Sequence, residues 1–159
     1  MIAFAPMSPR RIGLAGLLLI ALAVGGCGIV STSPPEPTPA DFSDLAIELT
    51  QHGIVIDNVV SGDAGCDDPV LIPTAIAMDA SGMGQTKPVR IYLYVFRTSE
   101  VFERLRSTVD DCARSFVTDP ETFESIDQSP YVLAGQGPWA PAFETALRAG
   151  LEVAAGNGG

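Results

Sequence analysis

Arg90-Ile91-Tyr92-Leu93-Tyr94-Val95-Phe96 is the stretch from which the fold is read. Side chains alternate across a strand, so Ile91, Leu93 and Val95 point one way and Tyr92, Tyr94 and Phe96 the other. Both sets are apolar, and a strand apolar on both faces is covered on both. The segment therefore predicts a central strand over Val89–Phe96. Two coverings satisfy it. In one, helices close one face and loops or a further layer close the other. In the second, Tyr92, Tyr94 and Phe96 form an aromatic ledge that receives a ligand or partner, joined by Trp139 if it lies near. The residues leave both open.

Around this strand the chain reads as a short series of elements. Asp41 or Ser43 caps a helix over Phe42–His52, with Phe42, Leu45 and Leu49 on one face and Gly53 at its end. The β-branched run Ile54–Val60 predicts a strand, and Val70–Met78 a second, placed at an edge or a bulge by Pro73. Asp79–Pro88, with Gly82 and Gly84, reads as a turn region. After the central strand, Thr98 or Ser99 caps a helix to about Phe116. Its apolar residues Val101, Leu105, Val109 and Cys112 recur at helical spacing. Asp119-Pro120 opens a short turn or helix, and Tyr131–Ala134 is a fourth strand. A last helix opens at Pro138, with Trp139, Phe143, Leu147, Leu151 and Ala154 on its buried side. The order α-β-β-β-α-β-α predicts a small two-layer α+β domain. Its sheet is antiparallel or mixed, with helices packed mainly on one face.

The amino end has a different character. Arg10-Arg11 precede the uncharged run Ile12–Val24, and Gly25-Gly26-Cys27 follow. A basic start, an apolar centre and a small-residue site form the three-part pattern of a secretory signal. Val24-Gly25-Gly26-Cys27 resembles the lipobox of bacterial lipoproteins. That resemblance implies a diacylglyceryl group on the Cys27 sulfur, with acyl chains such as palmitate, and cleavage just before Cys27. The rival reading is an uncleaved single-pass helix, since Ile12–Val30 is uncharged for nearly the length that spans a bilayer. Arg10-Arg11 also resembles a twin-arginine export signal, though Gly13 stands where a bulky apolar residue is usual. The expected organisation is a signal peptide over 1–26, a lipid-anchored tether over 27–40, one domain over 41–155 and a tail over 156–159. The tether, Gly28–Ala40, carries four prolines and reads as an extended spacer. This layout resembles that of short lipoproteins of high-GC bacteria and brings no functional residues with it.

Composition narrows the function. The 159 residues are 47% apolar and 18% charged, which excludes a disordered chain, a coiled coil and collagen. The net charge of −10 argues against nucleic acid, whose phosphates need a basic face. Removing Arg10 and Arg11 with the leader leaves seven basic against 19 acidic residues, a net charge of −12. Such a charge reads first as solubility. It also repels anionic headgroups, so that an anchor rather than the surface would hold the domain at a membrane.

With Cys27 lipidated, Cys66 and Cys112 remain as an even pair and predict a disulfide in an oxidising compartment. No Cys-x-x-Cys is present for redox exchange, and His52 is the one histidine, so neither a zinc site nor a hydrolytic triad has an obvious set of ligands. Asp57, Asp63, Asp67 and Asp68 crowd one region without the spacing of a calcium loop. Gly135-Gln136-Gly137-Pro138-Trp139-Ala140 has the form of a dinucleotide fingerprint, but a further strand and its acidic residue have no room after it. It reads as a tight strand-to-helix turn. No metal, cofactor or catalytic residue is expected. The expected function is non-catalytic binding or docking on the extracytoplasmic face of the cell membrane. Its partners would be the membrane, through the lipid, and an envelope protein or a small molecule. The alternatives are a single-pass anchored domain with a small-ligand site, and a hydrolase.

Overall fold

The computed structural model describes residues 41–156. The segments expected to form a signal peptide and a tether, with Cys27 among them, and the expected tail beyond Gly156 lie outside the described residues. Asp41 caps α1 (Phe42–Gln51) by accepting the Asp44 N–H at 3.0 Å, and Leu45 and Leu49 form its buried stripe. Then follow β1 (Val55–Ser61), β2 (Ala75–Gly82), β3 (Gln85–Val95), α2 (Ser99–Ala113), β4 (Phe123–Gln128), β5 (Tyr131–Gln136) and α3 (Pro141–Gly156). The five strands form one antiparallel sheet in the order β1-β2-β3-β5-β4. The domain is α+β, as the sequence reads.

The alternation along β3 organises both cores. Ile91 and Leu93 join Met78, Ala80, Ile126 and Leu133 beneath α1 and α3. Tyr94 and Phe96 join Ala75, Val132 and Ala134 on the opposite face. Two of the three helices therefore share one face. The second face has its own cover: α2 contributes Phe102, Val109 and Cys112, and the loop after β1 contributes Ala64 and Leu71.

Five elements differ from expectation, each for a local reason. First, the ten-residue turn region over Asp79–Pro88 is a hairpin. β2 and β3 run on until only Met83 and Gly84 connect them, at φ 48° and 88°. Two positive-φ residues make the turn whose twist matches the strands. The polar residues there sit on a solvated hairpin end, which removed the apolar pattern. Second, β2 begins at Ala75 rather than Val70. Asp68 Oδ1 accepts the N–H groups of Val70 and Leu71 at 2.8 and 3.0 Å, and Ile72–Thr74 form a 3-10 turn around Pro73. Third, β4 is an additional strand. It is an edge, and Ile126 is its one fully buried residue. Fourth, α3 opens at Pro141, not Pro138. Pro138 follows a cis peptide bond, and Trp139 precedes the helix, edge-on to Phe143.

α2 ends earlier than Phe116 as well. Ser115 and Phe116 donate to the carbonyls of Cys112 and Ala113, three residues back, at 2.9 and 3.1 Å. These tighter turns carry Phe116 off the helix and onto the ring of Tyr92.

Candidate functional site

The site is built on the second face, where β3 emerges from under α2. Cys66 and Cys112 form a disulfide with Cα atoms 5.5 Å apart. It fastens the loop after β1 to the last turn of α2. Ala64 is held at the same point: its carbonyl accepts the Tyr94 hydroxyl at 2.7 Å and lies 3.0 Å from the Cys112 sulfur. The Tyr92 ring, half-buried, meets Phe116 with centroids 4.2 Å apart and planes tilted 34°. Gly65, at φ 74°, lays its backbone across both rings.

Arg90 ties the neighbouring strands to this loop. Its Nη2 meets Asp63 Oδ2 at 3.1 Å, and its Nη1 meets Asp79 Oδ1 at 3.3 Å and donates to the Asn58 carbonyl at 2.9 Å. Asn58 Nδ2 in turn donates to Asp79 Oδ2 at 2.7 Å. Burial pulls the Arg90 pKa down, but the hydrogen bonds and charges of Asp63 and Asp79 outweigh it and leave it raised. The Tyr92 phenol is pushed up by burial and then by the Asp63 charge.

Two clefts open here and share Tyr92. One, of about 520 Å³, is walled by Asp63, Gly65, Cys66, Asp67, Ile72 and Ser115. The other, of about 250 Å³, is walled by Val89, Arg90, Phe116, Gln136 and Gly137. Carboxylates, a phenol and backbone amides orient a ligand by charge and hydrogen bonding.

The predicted aromatic set is not brought together, which corrects the ledge. Tyr94 and Phe96 are fully buried beneath α2, and Trp139 belongs to the core of the opposite face. Of the four, Tyr92 is the one that lines the two clefts described. Of the four crowded aspartates, Asp63 is spent on Arg90 and Asp68 on its own turn. Among the described residues, no three or more His, Cys, Asp or Glu side chains converge as a metal site would require. The glycines of the apparent fingerprint serve packing: a Cβ at Gly137 would stand 2.7 Å from the Thr122 carbonyl. The Gln136 side chain between them accepts the Thr118 N–H at 2.8 Å. His52 lies at the end of α1, on the Ile91–Leu93 side of the sheet. The sequence reading missed Arg90, Asp79 and Phe116. Arg90 was reachable, since it shares a face with Tyr92 by the same alternation. Asp79 was hidden by its assignment to a turn; it stands opposite Arg90 in the register.

Tyr94 makes the site sensitive to alkali. Its pKa is raised well above the ordinary phenol value by burial first, then by Tyr92 and Asp63. The folded phenol thus keeps its proton where the unfolded one loses it. The stability that this phenol contributes is full below about pH 10 and is lost as pH rises beyond it. Guanidinium unfolding between pH 8 and 11.5 is expected to show that decline, and Tyr94→Phe to flatten it. An identical slope in the variant would assign the decline to other groups.

No protein family, no curated protein and no solved structure matches this chain. The functional reading therefore rests on the residues themselves.

Proposed function

We propose that the chain is an extracytoplasmic lipoprotein, anchored through Cys27, whose α+β domain binds a small molecule or docks an envelope protein at the Tyr92 clefts. The observation that carries this reading is the Cys66–Cys112 disulfide. Disulfides persist in oxidising compartments and are rare where thiols are kept reduced. It supports export of the domain, and Val24-Gly25-Gly26-Cys27 supplies the matching lipidation signal. Lipid chains contribute about 0.8 kcal/mol per buried methylene, so several on one cysteine hold firmly despite an acidic domain. Among the described residues no helix is long and apolar enough to cross a membrane.

Mass spectrometry of the N-terminal peptide from membrane-extracted protein tests the anchor. The expected peptide starts at a Cys27 carrying acyl chains, and Cys27→Ser is expected to move the protein out of the membrane fraction. A peptide that retains Met1 or Met7 with an unmodified Cys27 would replace this reading with a single-pass helix.

A further inference from the structure

We propose that the open edge of β1 and the cleft that begins where β1 ends form one docking surface for an extended, positively charged segment of another protein, which adds to the sheet as a sixth strand. This rests on reading the Tyr92 cleft as a binding site and names its partner. Among the described residues β1 lies at the end of the sheet and pairs with β2 alone. Its outer backbone groups face no strand among the described residues, and such an edge is a template for strand addition. Three of the exposed large apolar side chains sit on it: Val55, Val59 and Val60, at 54%, 46% and 45% exposure. The opposite edge is guarded differently. On β4 the exposed position is Asp127, bonded at 2.6 Å to Arg106 of α2.

The edge and the cleft are one structure. Asn58, at φ 51°, bulges β1, and its carbonyl and amide are both held by the Arg90–Asp79 cluster. Arg90 also grips Asp63, which lines the cleft. Gly62, the residue after β1, is the first residue of the cleft wall. A segment running along β1 past Ser61 is therefore led toward this wall, where Asp67 is the exposed carboxylate. Strand addition takes affinity from main-chain hydrogen bonds and specificity from a pocket that accepts one side chain. Charge selects the occupant. Residues 41–156 carry seven basic and 18 acidic side chains. A second copy would bring the same excess and be repelled, whereas a cationic segment is attracted and steered.

The test uses the full chain in detergent, with acetyl-VRVKVR-amide and acetyl-VEVEVE-amide as probes. Hydrogen exchange read by mass spectrometry is expected to slow over Val55–Ser61 with the basic peptide and not with the acidic one. Val59→Asp is expected to abolish that protection, and Asp67→Asn to weaken binding about threefold; both are surface changes whose melting curves should match the parent. Unchanged exchange at β1, equal binding of the acidic peptide, or full affinity in Asp67→Asn would overturn the proposal. So would β1 protection that grows with protein concentration alone, which would make a second copy the occupant. The anchor reading is judged separately on the mass of Cys27, so either can fail without the other.

Discussion

A chain with both Cys66 and Cys112 changed to alanine is expected to lose about 4 kcal/mol of stability. The disulfide joins residues 46 apart in sequence, and the chain-entropy account of a loop this long gives that magnitude. Small domains have only about 5–15 kcal/mol in hand, so the loss removes a large share. The melting temperature should fall by about 20 °C. The local consequence matters as much. The bond holds the loop bearing Ala64 and Leu71 against α2, and those residues close the second core over Tyr94 and Phe96. Without it, the cleft wall from Gly62 to Asp67 loses its fastening to α2. Trp139 is the one tryptophan and lies in the other core, so its fluorescence reports unfolding of the whole domain rather than of the loop. A loss under about 1 kcal/mol would mean that packing alone holds the loop.

Gly65→Ala is expected to cost about 2–4 kcal/mol, from left-handed backbone strain plus overpacking. Gly65 sits at φ 74°, and an added Cβ would stand 2.5 Å from Phe116 Cδ1 and 2.9 Å from the Tyr92 ring. Neither ring is a flexible end that can swing aside while the two remain in contact. The substitution should therefore separate Tyr92 from Phe116 and change the tyrosine signal in near-ultraviolet circular dichroism. Gly62→Ala separates the two causes. Gly62 has nearly the same backbone, at φ 78°, but its Cβ would meet nothing closer than 4.0 Å. It should cost only the strain, about 1 kcal/mol. Equal losses in the two variants would remove the ring contact as a cause.

The strength of sequence reading followed the strength of local signals. The caps at Asp41 and Thr98 and the stripes of α1 and α2 are written within a few residues of one another, and they stand in the structure. The alternation of β3 was equally local. β4 was not legible, because an edge strand with a single fully buried residue carries almost no period. The hairpin at Met83-Gly84 was obscured because solvated strand ends look like loop in composition. The candidate site was half legible. Cys66 and Cys112 were paired by elimination and chemistry, and Tyr92 by alternation. Arg90 with Asp79 needed the register between β2 and β3, and Phe116 needed the tight turns that end α2.

The sequence by itself determined the α+β class, the two apolar faces of the central strand, the cysteine pair and the acidic surface. These follow from residue type and spacing, which are properties of the chain. Only the tertiary structure decided which aromatic residues stay in reach of solvent. Tyr92, Tyr94 and Phe96 are equivalent by alternation, yet α2 crosses the sheet over the last two and leaves the first beside an open cleft. Trp139 was separated from them by the same cause at larger scale. It lies on the other side of the sheet, and which face a side chain joins is set by how the elements pack, not by its distance along the chain.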